Sequence, residues 1–237
     1  MPAVTCVVYG TRVAAPVVDR YTLKDFPHSS HRLLADWVGP APCRVLDLGT
    51  ANGLLGRLLA GRGHSVVGVE CDGEIAAAAR PHYAALHVGD VQRLPVLPEA
   101  PFDVVIAGDI LEHLADPPLG LDRALAQLAP GGRVLVSVPN VAFLQVRLGL
   151  LFGRFEYARR GILDSTHLRF FTLRSLLALL RGAGLTVTRR RGVPPPLPLV
   201  VPATAHWPLR LLLEAAALAA RLWPPLFAFQ LVAEARR

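Results

Sequence analysis

The chain has no run of roughly 20 uninterrupted apolar residues, the length a helix needs to cross a bilayer. Its two most apolar tracts, 141–153 and 209–223, are interrupted by Arg147 and by Arg210, Glu214 and Arg221. No basic stretch followed by an apolar one opens the sequence, so a secretory leader is not expected and the expected location is the cytoplasm. Cysteine is scarce. The three present, Cys6, Cys43 and Cys71, are odd in number and far apart, which fits neither a disulfide framework nor a metal-ligand spacing and suits a reducing compartment. Charged residues make up only 18% against 52% hydrophobic, which excludes a disordered chain. At 237 residues the chain suits a single domain, with or without a lid, that buries a substantial core.

The charge that is present is unevenly placed. Net charge is +7, and ten arginines between Arg147 and Arg191 stand against only Glu156 and Asp164. Such an excess suits an anionic substrate, nucleic acid or a membrane surface, and equally suits ordinary solvated faces.

From Cys43 to Val138 short apolar strands alternate with helical stretches. Strands are predicted at 43–48, 65–70, 84–88, 102–108 and 132–138, with helices after the first, second and fourth. Asp116 is a predicted helix cap ahead of Pro117. Near-continuous apolar strands with helices between them imply an α/β fold, a parallel sheet covered on both faces. An amino-terminal helix is predicted in the second half of "HSSHRLLADWV". Beyond 140 the pattern loosens into an apolar helix at 141–152, a helix capped by Thr172 and ended by Gly182 or Gly184, and a strand at "LTVTRRR". A proline-rich crossing, "VPPPLPLVVP", a helix at 208–222 and a last strand in "LFAFQLVAEA" follow. The whole reads as one domain, 1–237, with a cofactor-binding core at 28–140 and substrate-side or lid segments at 141–183 and 193–224. The apolar helices at 141–152 and 208–222 suit a lid, a homodimer face or a surface for a lipid-linked acceptor, with core burial the simplest account.

Ligands in such sheets bind at the carboxyl ends of the strands. There the chain places Asp47, Glu70, Asp90 and Asp109. Between the first strand and first helix, "VLDLGTANGLLG" puts Gly49 and Gly53 in a turn where backbone amides can approach a ligand. A glycine-rich turn alone is weak evidence. Asp47 discriminates, because a carboxylate repels a pyrophosphate but suits an ammonium and a sulfonium. Glu70 is placed to accept from ribose hydroxyls and Asp90 from an exocyclic amine. Together the acids fit a zwitterionic nucleoside without phosphate, S-adenosyl-L-methionine.

The segments "LDLGTANG", "VVGVECD", "VGDVQRLP", "FDVVIAGDILEHLADP" and "LAPGGRVLVSVPN" resemble, in order and spacing, the class I S-adenosylmethionine-dependent methyltransferases. The resemblance covers about residues 28 to 190 and is nearest to bacterial small-molecule enzymes of quinone and natural-product biosynthesis. It implies a Rossmann-like seven-stranded sheet whose final strand inserts antiparallel. The implied cofactor positions are Asp47, Gly49, Thr50, Ala51, Gly53, Glu70, Cys71, Asp90, Val91 and Asp109. Ala51 stands where the family's pattern has a glycine, so a slightly reshaped loop is expected. The family's nucleic-acid amine enzymes carry an Asn/Asp-Pro-Pro-aromatic turn after the fourth strand. This chain has "DILEHL" there, so a small-molecule acceptor is expected and a nucleic acid is not.

Asp109 and His113, four apart, are expected to share a helical face and to lack the company a metal site needs. The stretch "GILDSTHLRFF", 161–171, resembles one common in bacterial small-molecule methyltransferases and supplies the acceptor-side candidates. His167 is a candidate general base with Asp164 holding its tautomer, while His113, Phe170 and Phe171 are candidate pocket walls. Other roles for His167 stay open, namely pocket lining without proton transfer, helix capping at Thr172 or backbone bonding, and so does pairing of Asp164 with Arg169. The expected reaction is in-line methyl transfer to a hydroxyl oxygen. A nitrogen or carbon acceptor, or a cofactor-binding subunit without turnover, is the alternative.

Overall fold

Seven strands form one sheet in the order β3-β2-β1-β4-β5-β7-β6, seen in a computed structural model that describes residues 28–196 and 207–237. Strands β1 (Arg44–Leu48), β2 (Ser65–Glu70), β3 (Ala85–Val88), β4 (Phe102–Gly108) and β5 (Leu128–Pro139) run parallel. Strand β7 (Gln230–Arg236) enters antiparallel between β5 and β6 (Thr186–Val193). All seven match strands expected from the sequence. Cys6, part of the proline-rich crossing and residues 197–206 of the segment 193–224 lie outside the described residues.

The period of two along each strand divides the core between the two faces of the sheet. On β4, Val104 and Ile106 face α1 (Ser30–Val38) and α2 (Leu54–Ala60), where Leu34, Trp37, Leu55 and Leu59 are buried. Val105 and Ala107 face the opposite layer, which includes Leu121 of α4 (Pro117–Leu125) and Leu176 and Leu180 of α6 (Leu173–Gly182). The remaining helix of the parallel half is α3 (Gly73–Ala79). Burying both faces is what requires these strands to be apolar at almost every position.

Helix starts follow local chemistry. Asp116 accepts from the amide of Leu119 at the head of α4, and Thr172 with Ser175 forms a capping box at the head of α6, each satisfying amides that have no partner within the helix. Helix α1 packs on the sheet. Arg133 of β5 donates to the carbonyls of Trp37 at 2.9 Å and Val38 at 2.6 Å, and the Arg189 guanidinium lies 4.4 Å from the Trp37 ring centre.

Core burial does not account for the two apolar helices. In α5 (Leu144–Leu151) only Val146 is buried, while Leu151 and the following Phe152 are 75% and 74% exposed. In α7 (Trp207–Leu222) Ala220 is buried, and Leu211, Leu212, Leu218 and Leu222 are exposed. No helix of the described residues is long and apolar enough to cross a membrane.

One contact fixes how the carboxy-terminal part meets the sheet. A Cβ on Gly192 of β6 would lie 2.1 Å from the Ala220 carbonyl oxygen and 2.7 Å from the Ala228 methyl. Neither neighbour can rotate away, so α7 rests on β6 only because residue 192 has no side chain. Gly192→Ala is expected to lower unfolding free energy by about 1–3 kcal/mol through overpacking, read from urea denaturation.

Candidate active site

Strand order reverses at β1, whose neighbours are β2 and β4, and the crevice of such a sheet opens at the carboxyl ends there. The turn 49–53 leaves β1 in left-handed backbone at Gly49 (φ 74°), Ala51 (φ 46°) and Gly53 (φ 77°). Ala51 thus holds a left-handed backbone that favours glycine, at a steric cost of order 1 kcal/mol or more.

Glu70 braces that turn. One carboxylate oxygen accepts from the Ala51 amide at 2.9 Å, and the other from the amides of Cys71 at 2.9 Å and Asp72 at 3.2 Å. The side chain at the end of β2 thus ties the glycine turn to its own strand end, a role that sequence reading did not assign. Thr50 Oγ1, inside the turn, is buried with no hydrogen-bond partner. A buried orphan hydroxyl costs free energy unless a ligand or water answers it. Its place in a turn beside two carboxylates suits a cationic nucleoside.

Asp47 is 2% exposed and accepts from the Tyr83 hydroxyl at 2.6 Å. Gly56 and Gly68 make room for that ring: a Cβ on either would lie 2.3 Å or 2.9 Å from its atoms. Burial raises the Asp47 carboxyl to about 7, opposed by the Tyr83 hydrogen bond and reinforced by the Glu70 charge. Tyr83, pushed far above the ordinary phenol value by burial and by Asp47, remains a neutral donor. Tyr83 was missed in the sequence, and only the small residues at 56 and 68 hinted at the slot it fills.

Beyond β3, Asp90 caps a short 3-10 turn by accepting from the Gln92 amide at 2.9 Å. Val91 is buried in the core beside Leu94 and Leu114. Beyond β4 the structure departs from expectation. Residues Leu111–His113 form a 3-10 turn rather than an α-helix, so Asp109 and His113 do not share a helical face. Asp109 sits at φ 54°, and its carboxylate accepts from Ser137 Oγ at 2.6 Å and Gln230 Nε2 at 2.7 Å. It ties together β4, β5 and β7.

The same turn brings His113 to the opposite segment. His113 and His167 meet edge to face, ring centres 4.9 Å apart. His113 Nδ1 contacts the Thr166 carbonyl at 3.2 Å and His167 Nδ1 the Ile162 carbonyl at 2.9 Å. Carbonyls only accept, so both Nδ1 atoms carry a hydrogen. Burial, then the neighbouring His167, holds His113 below the usual imidazole value. Glu112, 1% exposed, lies beside both rings, with a ligand atom from each of the three within 4.8 Å of the others. This is company that spacing alone did not show.

Two other expectations are corrected. The Asp164 carboxylate accepts from the Thr166 amide and hydroxyl at 2.8 and 2.7 Å, an Asx-type turn, so the Ile162 carbonyl and not Asp164 fixes the His167 tautomer. Arg169 donates to the Ala115 carbonyl at 2.6 Å. Phe171 belongs to the main core, 7% exposed, and does not wall a pocket. Phe170 does stand free of the core, in an aromatic cluster with Phe155, Tyr157 and His167 at 5.6, 6.4 and 6.3 Å between ring centres. The "FEY" at 155–157 was the unread signal. A cavity of about 280 Å³, lined by Val38, Cys43, Pro130 and Arg236 among others, opens at the other end of the strands.

The fold and crevice define a doubly wound nucleoside-binding sheet with an antiparallel insertion. The model of the methyltransferase domain family matches residues 18–190; the chain belongs to that family, and S-adenosyl-L-methionine is its cofactor. Ubiquinone biosynthesis O-methyltransferase of Nitrobacter winogradskyi is 32% identical over 159 residues, covering 65% of this chain and 60% of that protein. Its counterpart from Aeromonas salmonicida is 32% identical over 185 residues, covering 70% and 74%. The chain thus spans about 60% of the first of these relatives. Magnesium protoporphyrin IX methyltransferase from Synechocystis shares the fold, with a TM-score of 0.62 at 15% identity over 97% of this chain and 91% of that one.

The raised Asp47 carboxyl has a sign that can be checked. Its folded value of about 7 exceeds the ordinary 3.8, so the folded state holds the proton more tightly and stability falls as pH rises from about 4 to 7. Asp47→Asn is expected to remove this slope, with a gain at pH 8 of no more than about 4 kcal/mol. Urea titrations of both proteins at pH 5 and pH 8 read it, and parallel pH dependences would contradict the assignment.

Proposed function

We propose that this chain transfers the methyl group of S-adenosyl-L-methionine to a hydroxyl oxygen of a small, largely apolar acceptor, with His167 as general base. The observation that carries this reading is the His167 ring itself. Its Nδ1 donates to the Ile162 carbonyl, which orients the ring beside an aromatic cluster. The O-methyltransferase relatives support oxygen as the acceptor atom.

Bound in the crevice, the cofactor presents an electrophilic methyl on a sulfonium. The chain's part is then placement and proton removal. The acids Asp47 and Glu70 and the turn 49–53 hold the cofactor, with Asp90 and Val91 on the adenine side. Phe170, Phe155 and Tyr157 present ring faces and edges to an apolar acceptor. His167 would take the proton of the acceptor hydroxyl, whose oxygen would receive the methyl group that the cofactor supplies. Alignment supplies most of the acceleration in such a displacement, and a positioned base adds about 10²–10⁴-fold. The segment 141–183 forms the acceptor side in this reading, since α5 runs directly into Phe155 and Tyr157 and its exposed leucines suit covering an apolar molecule.

Two variants separate cofactor binding from catalysis. Glu70→Ala is expected to weaken cofactor binding by about 1–3 kcal/mol, read by calorimetry; unchanged affinity would remove Glu70 from the site. For His167→Ala the expectation is unchanged cofactor affinity with turnover on a panel of phenols reduced by about 10²-fold or more. Normal turnover in that variant would end the base assignment, and transfer to amines but not phenols would move the acceptor atom to nitrogen.

A further inference from the structure

We propose that Tyr83 is a positioning residue for the cofactor: its hydroxyl holds Asp47, beside the glycine turn, as counter-charge for the cofactor's cationic end, and cofactor uptake expels the Asp47 proton. This role rests on the assignment of Asp47 to the cofactor proposed above.

The sequence builds a slot with fixed walls for the ring. Asp47 of β1 stands opposite Gly68 of β2 in the parallel register, so a missing side chain leaves space beside the carboxylate. The Tyr83 ring fills it. A Cβ on Gly68 would lie 2.9 Å from ring atom Cδ1 and 2.6 Å from the Thr50 methyl, and one on Gly56 2.3 Å from Tyr83 Cζ. Backbone bonds anchor the residue on either side. The Tyr83 amide donates to the Arg80 carbonyl at 3.1 Å, and the Ala84 amide donates to the Val66 carbonyl of β2 at 2.8 Å. A phenol seated this way has few other rotamers open to it and keeps its hydroxyl 2.6 Å from Asp47.

The hydroxyl is itself polarised. The Gly56 amide, at the head of α2, bonds the Tyr83 oxygen, and the Tyr83 proton goes to Asp47. Amides at a helix head lack partners inside the helix, so the first bond satisfies one of them and strengthens the second. The phenol also stays neutral, because burial and Asp47 hold it far above its ordinary value. A lysine in its place would supply the counter-charge itself and repel a cationic ligand. Tyr83 holds the acid and leaves its charge unspent.

A proton contests that charge. The titratable groups facing Asp47 are Tyr83 and, from β2, Glu70. From β4 its register partner is the apolar Ile106, and from α2 the nearby residue is Gly56. Burial raises the carboxyl to about 7, the Tyr83 bond opposes this, and the Glu70 charge reinforces it. An opposite charge at close range favours the carboxylate, so the cofactor's cation and the proton compete for Asp47. Without the Tyr83 hydroxyl the proton gains.

Calorimetric titration of the full chain with S-adenosyl-L-methionine, from pH 6 to pH 9, tests this. Buffers of different ionisation enthalpy are expected to show about one proton released per cofactor bound at pH 6. In Asp47→Asn that proton is expected to be missing and binding to be weaker. Tyr83→Phe keeps the ring in its slot, and circular dichroism checks that it folds. Its dissociation constant is expected to exceed the wild-type one about tenfold at pH 6 and to match it within about twofold at pH 9. The reason is that losing one charge-assisted hydrogen bond moves the Asp47 midpoint up by about one pH unit. Taking the ratio at each pH cancels the cofactor's own titration. A ratio that stays constant with pH makes Tyr83 merely structural and overturns its positioning role. Wild-type uptake at pH 6 without proton release overturns the exchange. Wild-type affinity in Asp47→Asn removes Asp47 from the cofactor site altogether, a failure of the underlying assignment; weaker binding in that variant, with no proton released by the wild type, sinks the exchange alone.

Discussion

The Glu112 carbonyl accepts two amide protons, from Leu168 and Arg169, and the segment proposed to receive the acceptor depends on this junction. The parallel sheet fixes only where strands end. What lies beyond β5 is irregular and would otherwise be free to drift relative to β4. The paired acceptor bonds, with His113 reaching the Thr166 carbonyl, bind the exit turn of β4 to the segment 162–169. Glu112, which supplies the shared acceptor, is 1% exposed, so its carbonyl meets little competition from solvent. The histidine pair, the buried carboxylate and Phe170 take their positions from that one junction. Removing it would leave the cofactor turn intact, since that turn is braced separately by Glu70.

The crevice therefore has two halves built on different physics. On the cofactor half, carboxylates at successive strand ends satisfy backbone amides in the turns that follow them. Glu70 does this three times, and Asp90 and Asp72 each cap the element that follows. These acids are as much the mortar of the βα turns as they are ligand groups. That dual use explains why the half is preorganised. The acceptor half has no strand ends to build on, so backbone carbonyls from an irregular segment orient its side chains.

This division also sets what could be read in the sequence. Every strand and almost every helix was legible, because burial on both faces leaves runs such as "VVIAG" that tolerate little else. The cofactor turn was legible for the same reason, since Gly49, Gly53 and Glu70 occupy places dictated by the strand positions. The acceptor side was half legible. His167, His113 and Phe170 were picked out by residue type, but their partners were not. Asp164 bonds Thr166 two residues away, Asp109 bonds Ser137 and Gln230, and Phe171 turns into the core. Local pairing won at Asp164 and long-range pairing at Asp109, and spacing along a chain cannot weigh one against the other. Tyr83 was invisible for a further reason. Its significance lies in two absent side chains, at Gly56 and Gly68.

The arginine excess yields to the same accounting. Arg133, outside the basic segment, donates to two carbonyls of α1. Within the segment, Arg147 donates to the carbonyls of Ala142 and Pro225, Arg169 to that of Ala115, and Arg189 lies against Trp37. A guanidinium can close several carbonyls in a fixed fork while its charge stays near solvent. Three of the ten arginines of that segment thus fasten turns or lie on a ring, so part of its positive charge serves the architecture. The anion-seeking reading of the composition fails where these side chains are spent, and the chemistry of the crevice rests instead on carboxylates and imidazoles. The acids at the cofactor end and the imidazoles across the crevice thus rest on different supports, strand-end turns for the one and carbonyls of an irregular segment for the other.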